Sequence, residues 1–422
     1  MAAAALLLGL ALGSAPLFAQ ADDSSPERRF TLDDSEKLAL LNSASLLAAE
    51  QGIVIAQQRV QQAETLFLPE IGLQASGTRY DDRYPTALAP ELHSILLFPS
   101  PNDYIYSGRA YLTQTLYDGG KTINLLRLAQ STLKQAQTDY ETVKMETLYG
   151  AKRVFYQLIL AQEKRSAAQE RLQTAQSRAR GLAGWQRVEA EAVVSQLRTV
   201  AAEADHEVGM AGLDFRKQLN LELDTPFRVV GALEPKAVDL DLRKLIAWAM
   251  ELRPELQSEI YKAQMSNIAI NLASARRYPN LILASDYEIT GPNTSLKQNN
   301  WDATLGLRIP IPFDFWSEVR EKSAEKRQGE IMRAEIEDRV RLEVRRAYEE
   351  ISFWQAEWPA REKDYLRLKS LADSAPPERG RLEPVRAQVP LLEARNRYLS
   401  AVAEDVLALS RLERAVGRSL SP

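Results

Sequence analysis

The spacing of apolar residues changes period along the chain, and the same changes occur twice. Leu32 to Ala49 carries apolar positions at helical spacing behind Thr31, a candidate N-cap, and Ile53 to Phe67 reads as a second helix stopped by Pro69. The period then drops to two. Ile71, Leu73 and Ala75 alternate with Gln74, Ser76 and Thr78, the pattern of a strand with unlike faces. A polar stretch with Pro85, Pro90, Pro99 and Pro101 reads as a long exposed loop. A second alternating run follows from Arg109 to Tyr117, with Ala110, Leu112 and Leu116 on one face and Arg109, Thr113 and Thr115 on the other.

Asp118-Gly119-Gly120 ends that run and opens a helix of unusual length. No proline occurs between Gly119 and Arg180. Leu126, Ala129, Leu133, Ala136, Tyr140 and Val143 alternate spacings of three and four, which is a heptad seam in need of partner helices. The seam resumes at Leu148, Ala151, Phe155 and Leu158, and again at Ala168, Leu172, Ala175 and Ala179. At 1.5 Å per residue such a helix is about 90 Å long. Near Gly181 to Gly184 it turns back, and Val188 to Leu219 returns.

After a linker with Pro226 and Pro235 the plan repeats. Helical patterns at Leu242–Met250 and Glu255–Ala275 stop at Pro279, and a strand-like run covers Asn280–Ile289. A shorter loop begins at Gly291-Pro292-Asn293. Trp301, Ala303, Leu305, Leu307 and Ile309 then alternate with Asp302, Thr304, Gly306 and Arg308. Asp314 stands where Asp118 stood, and another long hairpin starts at Trp316 and returns to Val416. The chain is thus a duplicated helix–strand–strand–long α-hairpin unit. The expected division is a signal peptide at 1–21, a first repeat at 22–220, a linker at 221–238, a second repeat at 239–417 and a tail at 418–422. Within it, strands fall at about 70–81, 108–118, 280–290 and 300–310, and the long hairpins at 119–219 and 316–417. Mature sequence opens on a mobile-looking Asp22 to Arg29.

Runs of about ten residues are the length a tilted membrane strand needs, with the polar face turned to a lumen. A soluble sheet lying on helices alternates in the same way, so the pattern leaves both open. Aromatic residues at the strand ends favour the membrane: Tyr80, Tyr84, Tyr104 and Tyr106 at one end, and Tyr117, Tyr278, Phe313, Phe315 and Trp316 at the other. Four strands cannot close a barrel. Two chains would give eight strands, a barrel filled by its own side chains, whereas three give twelve and leave room for a lumen.

Composition narrows the chemistry. The absence of cysteine excludes disulfides and thiolate metal sites, and only His93 and His206 are present. A formal charge of -4 gives no reason to expect nucleic acid. Ala2 to Leu12 is apolar and Ala19-Gln20-Ala21 offers a small-x-small cleavage site, so export is expected, although no Lys or Arg precedes it. No later stretch has the continuous apolar length of a transmembrane helix. Neither a nucleophile–base arrangement nor a phosphate loop is present, since Gly119-Gly120-Lys121 lacks the necessary spacing. No catalysis, cofactor or metal is expected.

Several stretches together resemble the TolC-like outer membrane efflux protein family. They are Leu116-Tyr117-Asp118-Gly119-Gly120-Lys121, the stop at Leu68-Pro69, Val154-Phe155-Tyr156-Gln157-Leu158, and Leu391 to Gly417. The resemblance implies an α+β membrane protein: a homotrimer with a twelve-stranded outer membrane β-barrel, four strands per chain, above a periplasmic α-helical coiled-coil barrel. It also implies a periplasmic adaptor (membrane fusion protein), an inner membrane pump and outer membrane lipid as partners. The function implied is a passive exit duct of a tripartite efflux or type I secretion system. The competing expectation is a periplasmic coiled-coil scaffold without transport.

In that family the helix returning from each hairpin tip carries acids that narrow the tunnel. Here Arg187 stands at the first such place with Glu189 two residues on; at the second, Glu383 matches and Arg386 stands where another acid can occur. These four are the gate candidates. Small and apolar residues at the tips, Gly181, Leu182, Gly380, Arg381 and Leu382, are the candidates for adaptor docking. Asp118, Gly119, Gly120 and Asp314 are assigned to the strand-to-helix turns. Interior prolines kink or break helices, so Pro359, Pro376, Pro377, Pro384 and Pro390 predict a bent or irregular second tip, against a smooth first tip.

Overall fold

The structure is a computed structural model that describes residues 28–79, 104–238, 240–291, 298–374 and 382–420. The expected signal segment, the loop bearing Pro85, Pro90, Pro99 and Pro101, Tyr80, Tyr84, Pro376, Pro377, Gly380 and Arg381 lie outside the described residues.

The first repeat begins with strand β1 (Arg28–Phe30), which pairs in parallel with β4 (Phe227–Val229). Arg28 and Arg29 are therefore held, and the linker contains a strand; a three-residue element is too short to show a period. Phe30, Phe215 and Phe227 clasp the two, with the Phe215 and Phe227 rings stacked at 4.9 Å. Helices α1 (Leu32–Asn42) and α2 (Ala44–Thr65) follow. Thr31 caps α1 through a capping box with Asp34. The expected single helix through Ala49 breaks instead at Ser43, whose extended backbone (φ -65, ψ 112) and side-chain bond from the Leu46 N–H start α2 afresh. The same bend recurs between α5 (Leu242–Leu252) and α6 (Pro254–Ala275), where Arg253 has φ -67 and ψ 124 because Pro254 disfavours helical geometry in the residue before it.

Strands β2 (Glu70–Arg79), β3 (Tyr104–Tyr117), β5 (Asn280–Gly291) and β6 (Gln298–Arg308) form one antiparallel sheet in the order β2-β3-β5-β6. Register puts Ile71 opposite Leu112, Leu73 opposite Ala110, Leu283 opposite Leu305 and Tyr287 opposite Trp301, so the apolar positions of all four strands share one face. That face is bare: Leu73 is 87 % and Trp301 73 % exposed. On the other face Arg109 grips Asp286 with two bonds of 2.9 and 3.0 Å, and Asp302 lies opposite Asp286. Gly72 lies beneath the Tyr111 ring, which occupies the space any Cβ would need. The register of β3 on β5 shifts between Thr115 and Tyr117, so Leu116 falls at a bulge. Among the aromatic residues at the helix end of the sheet, Tyr117, Tyr278, Phe313 and Trp316 are exposed, whereas Phe315 is buried.

Below the sheet run two long helices, α3 (Lys121–Ala179) and α7 (Phe315–Ser374), with return helices α4 (Gly184–Gln218), α8 (Glu383–Arg386) and α9 (Gln388–Val416). Contacts order the upper layer as α2–α3–α6–α7, matching the strands these helices join, and the lower layer as α4–α3–α9–α7. The lower seam of α3 is buried at Ala151, Phe155, Leu158, Ala168, Ala175 and Ala179. The upper seam is not. There the fully buried residues are Asn124, Ser131 and Thr138, seven apart, while Leu126, Leu133 and Tyr140 are only half-buried. Small side chains let neighbouring helices approach closely. Thr138 satisfies its own hydroxyl by donating to the Lys134 carbonyl at 2.8 Å, and Asn124 Nδ2 donates to the Gly120 carbonyl at 2.8 Å, whereas Asn124 Oδ1 has no partner among the described residues.

Pro359 lies inside α7, which runs unbroken from Phe315 to Ser374, so of the two outcomes expected of an interior proline the break does not occur. The return helix does break. Pro390 has no N–H to give the Arg386 carbonyl, and regular helix lapses at Ala387 between α8 and α9. Farther along α9, Asp405 is 1 % exposed and its Oδ1 has no partner among the described residues. Burial pushes its carboxyl up from 3.8 to about 6.

Replacing Pro359 with Ala should restore the bond to the Gln355 carbonyl and slow amide exchange in α7 around that turn; proline in a helix interior costs roughly 3 kcal/mol. Asp405→Asn addresses a different term. Because the folded state raises this pKa, the carboxyl favours folding below about pH 3.8 and loses that contribution as pH rises through about 6. The variant should therefore unfold at a higher temperature than the parent at pH 7.5, and the difference should shrink toward pH 4 in thermal melts.

Candidate functional site at the hairpin tips

The lower ends of both hairpins form one unit. Ala175, Ala179 and Leu182 from α3 and its turn, and Ala190, Val194 and Leu197 from α4, bury against Leu382, Val385 and Leu392 of the second hairpin. Alanine at the α3–α4 contact positions lets the two helices approach closely, and the leucines and valines fill the space between hairpins. In the turn, the Leu182 N–H donates to the Ala179 carbonyl at 3.1 Å, and Gly184 opens α4 with φ +58, a conformation that costs a glycine little.

Polar bonds tie the same ends. Arg178 donates to the Pro384 carbonyl at 3.3 Å. Gln388, 1 % exposed, also donates to Pro384, at 2.9 Å, and accepts from the buried Arg171 at 3.5 Å. Arg171 pairs with Glu170, which Arg395 reaches at 2.6 Å. Higher up, Arg253 is held by Glu255 and Glu343. Burial alone would raise the Glu255 carboxyl, but the hydrogen bonds and charge of Arg253, with a backbone hydrogen bond and the charge of Arg414, together outweigh it and hold Glu255 below the usual carboxylate range.

Of the four gate candidates, Glu189 and Arg386 form an ion pair between α4 and α8, both about half-exposed. One acid and one base of the expected constriction thus neutralise each other within a single chain. Arg187 and Glu383 are exposed. Of the docking candidates, Gly181 is exposed, but Leu182 and Leu382 are each 6 % exposed and belong to the tip core. Two exposed apolar residues were passed over in the sequence: Trp185, at 83 %, and Val188, at 58 %. The signal was legible, because a lone tryptophan in a turn of glycine and alanine has no core to fill.

The strand-to-helix turns are built unlike one another. Asp118 accepts from the Gly120 N–H at 3.1 Å and from the Thr122 N–H at 2.7 Å, capping α3, while Gly119 and Gly120 take φ +68 and +84. Asp314 instead binds Arg276 at 3.2 and 3.3 Å, and Glu318 joins the same guanidinium. Among the described residues no three His, Cys, Asp or Glu side chains gather to hold a metal ion. What the tips offer is packing and charge at the end of a long helical layer.

An antiparallel sheet with a bare apolar face above a layer of very long helical hairpins is the fold of an outer membrane channel-tunnel subunit. Structures of that kind match nearly the whole chain. CusC, described as forming a transmembrane channel, matches with a TM-score of 0.77 at 16 % identity over 92 % of each chain. The CmeC outer membrane channel of Campylobacter jejuni matches with a TM-score of 0.74 at 17 % identity, over 92 % of this chain and 85 % of that one. The outer membrane protein VceC of Vibrio cholerae gives 0.76 at 14 % identity, over 92 % and 97 %. Residues 37–182 match the family model described as outer membrane efflux protein. The chain is thus similar to outer membrane efflux proteins in sequence over residues 37–182, and to outer membrane channels in fold over most of its length. No curated protein matches it.

Leu182→Glu places a carboxylate in the tip core and should open that end, giving protease cleavage near residues 180–190 and faster exchange there. Gly181→Glu, at an exposed position, should leave both unchanged.

Proposed function

We propose that three copies of this chain assemble in the outer membrane as a passive exit duct, continued through the periplasm by the long hairpins. One observation carries the reading: every layer of the protein is open at both flanks. The sheet ends in unpaired β2 and β6. The upper helix layer ends in α2 and α7, which bare Leu47, Val54 and Ile55 on one side and Ile331, Met332 and Leu342 on the other. The lower layer ends in α4 and α7. Joining β2 to β6 of the next copy, α2 to α7 and α4 to α7 closes all three with one rotation, and three copies give twelve strands around a lumen. The apolar sheet face then meets lipid, and the face of Arg109, Asp286 and Asp302 meets water.

In this reading the duct performs no catalysis. A periplasmic adaptor and an inner membrane pump supply the energy and choose the cargo. Exposed Gly181 and its neighbours at the tip meet the adaptor, whereas Leu182 and Leu382 hold the tip together behind them. Exposed Arg187 and Glu383 are the gate charges without an ion partner among the described residues; their opposite signs argue against strong cation selectivity.

The test is assembly and conductance. The protein should fractionate with the outer membrane, run as a heat-resistant trimer, and conduct ions in a planar bilayer. A detergent-independent monomer in the soluble fraction would sink the proposal in favour of a scaffold. Gly181→Glu should abolish efflux-dependent resistance while the trimer still forms.

A further inference from the structure

The two repeats meet inside one chain along β3 and β5, whereas a trimer needs a second kind of joint, between β6 of one copy and β2 of the next. The approach to both joints is the same. Helices α1 and α5 are each 11 residues long and α2 and α6 each 22, so Glu70 at the start of β2 corresponds to Asn280 at the start of β5. Strand register carries the correspondence across the sheet. Glu70 faces Thr113 and Asn280 faces Arg308, so Thr113 of β3 corresponds to Arg308 of β6. By the same count Tyr111 corresponds to Gly306 and Arg109 to Thr304. Side chains agree with this: the Ser76–Ser107 hydroxyl pair, at 2.9 Å, falls where Asp286 lies opposite Asp302 in the second repeat.

We infer that the seam between copies keeps the register of the seam between repeats, so that β6 of one copy sets Thr304 opposite Thr78, Leu305 opposite Gly77, Gly306 opposite Ser76 and Leu307 opposite Ala75 of the next. These are the counterparts of Arg109 opposite Glu288, Ala110 opposite Tyr287, Tyr111 opposite Asp286 and Leu112 opposite Ser285. The inference rests on the trimer proposed above and names the residues with which its partner, a second copy of this chain, completes the barrel. A slip of one residue sets the apolar face of β6 beside the polar face of β2. A slip of two keeps the faces but changes the stagger at every joint between copies and at none within them, and a closed barrel ties stagger to strand tilt and width. The two seams differ in what holds them. Within the chain Arg109 grips Asp286. At the equivalent places between copies stand Thr304 and Ser76, which carry no charge. Three joints of the barrel are thus clasped by this ion pair and three lack it, and the copies part along the second kind.

The absence of cysteine in the chain makes the test clean. The full-length protein carrying Thr78→Cys with Thr304→Cys, or Ala75→Cys with Leu307→Cys, is oxidised in native membranes. At least one of these pairs should give covalent dimers and trimers on non-reducing gels that collapse to monomer on reduction. The two pairs sample both alternating classes of antiparallel pair, and a disulfide needs Cα atoms within about 7 Å. Gln74→Cys with Thr304→Cys, four residues out of step, should give no ladder, and neither should any single-cysteine variant. A second measurement transplants the clasp. Ser76→Asp with Thr304→Arg reproduces the Asp286–Arg109 pair at the seam between copies and should raise by several degrees the temperature at which the trimer comes apart, while neither single variant does. A trimer that cross-links only through Gln74→Cys with Thr304→Cys, or through no pair, overturns the register and leaves the duct standing. So does a double charge variant no more heat-resistant than its singles. Absence of any trimer, in the parent as well, overturns both.

Discussion

A β-strand with a free edge is an unfinished object, since its row of N–H and C=O groups needs either water or another strand. Here that constraint applies to a sheet whose apolar face is bare as well. In water the face is unfavourable, and in lipid the edges are, because hydrocarbon offers nothing to hydrogen-bond. Only closure into a barrel satisfies both conditions. The helical layers repeat the problem in another form, ending on flanks that bare leucine, isoleucine and methionine. In the trimer proposed above, the open edges and flanks of one chain are met by those of the next.

Why the helix order follows the strand order has a local cause. Each strand pair is entered from a short helix and left into a long one, through turns of a few residues. With turns that short, α2 must lie under β2, α3 under β3, α6 under β5 and α7 under β6. The order of the strands is thereby imposed on the helices. Lower down, α2 and α6 are gone and α4 and α9 take their places, so α3 and α7 alone run through both layers. Their seams change accordingly. Against α2 and α6, α3 buries Asn124, Ser131 and Thr138; lower down it buries Phe155 and Leu158 among Phe30, Ala39, Phe215 and Val229, and then a run of alanines toward the tip.

Periodicity made the strands, the long hairpins and the duplication visible in the sequence, because a period of two or seven persists over many residues and survives local exceptions. The features it missed are those decided by one or two residues. The bend at Ser43 depends on a single cap that outcompetes a helical pattern continuing on both sides. The polar seam of upper α3 was obscured because apolar spacing identifies what is greasy, not what is small, and in this part of the helix close approach governs burial. Pro359 was expected to kink or break α7, yet surrounding turns hold the helix through it; Pro390, near a helix start, leaves the visible interruption. At the tips, Leu182 and Leu382 looked available because they sit in turns. Their burial depends on the two hairpins meeting, which no local pattern records.

The two repeats show which features of the unit are geometric requirements. Thr31 and Asp241 cap equivalent helices with different side chains. Ser43 and Arg253 hold nearly the same φ and ψ, one through a hydroxyl cap and the other through the proline after it. Asp118 caps its helix from within, whereas Asp314 is pinned by Arg276 from the helix before the strand. Chemistry differs at all three points while the backbone path is kept, as expected if the path is set by closure. A barrel assembled from six such units, as proposed above, would tolerate new side chains at its joints but not a change in the angle between helix and strand, because an angular error repeated around the ring leaves a gap that no single contact can fill.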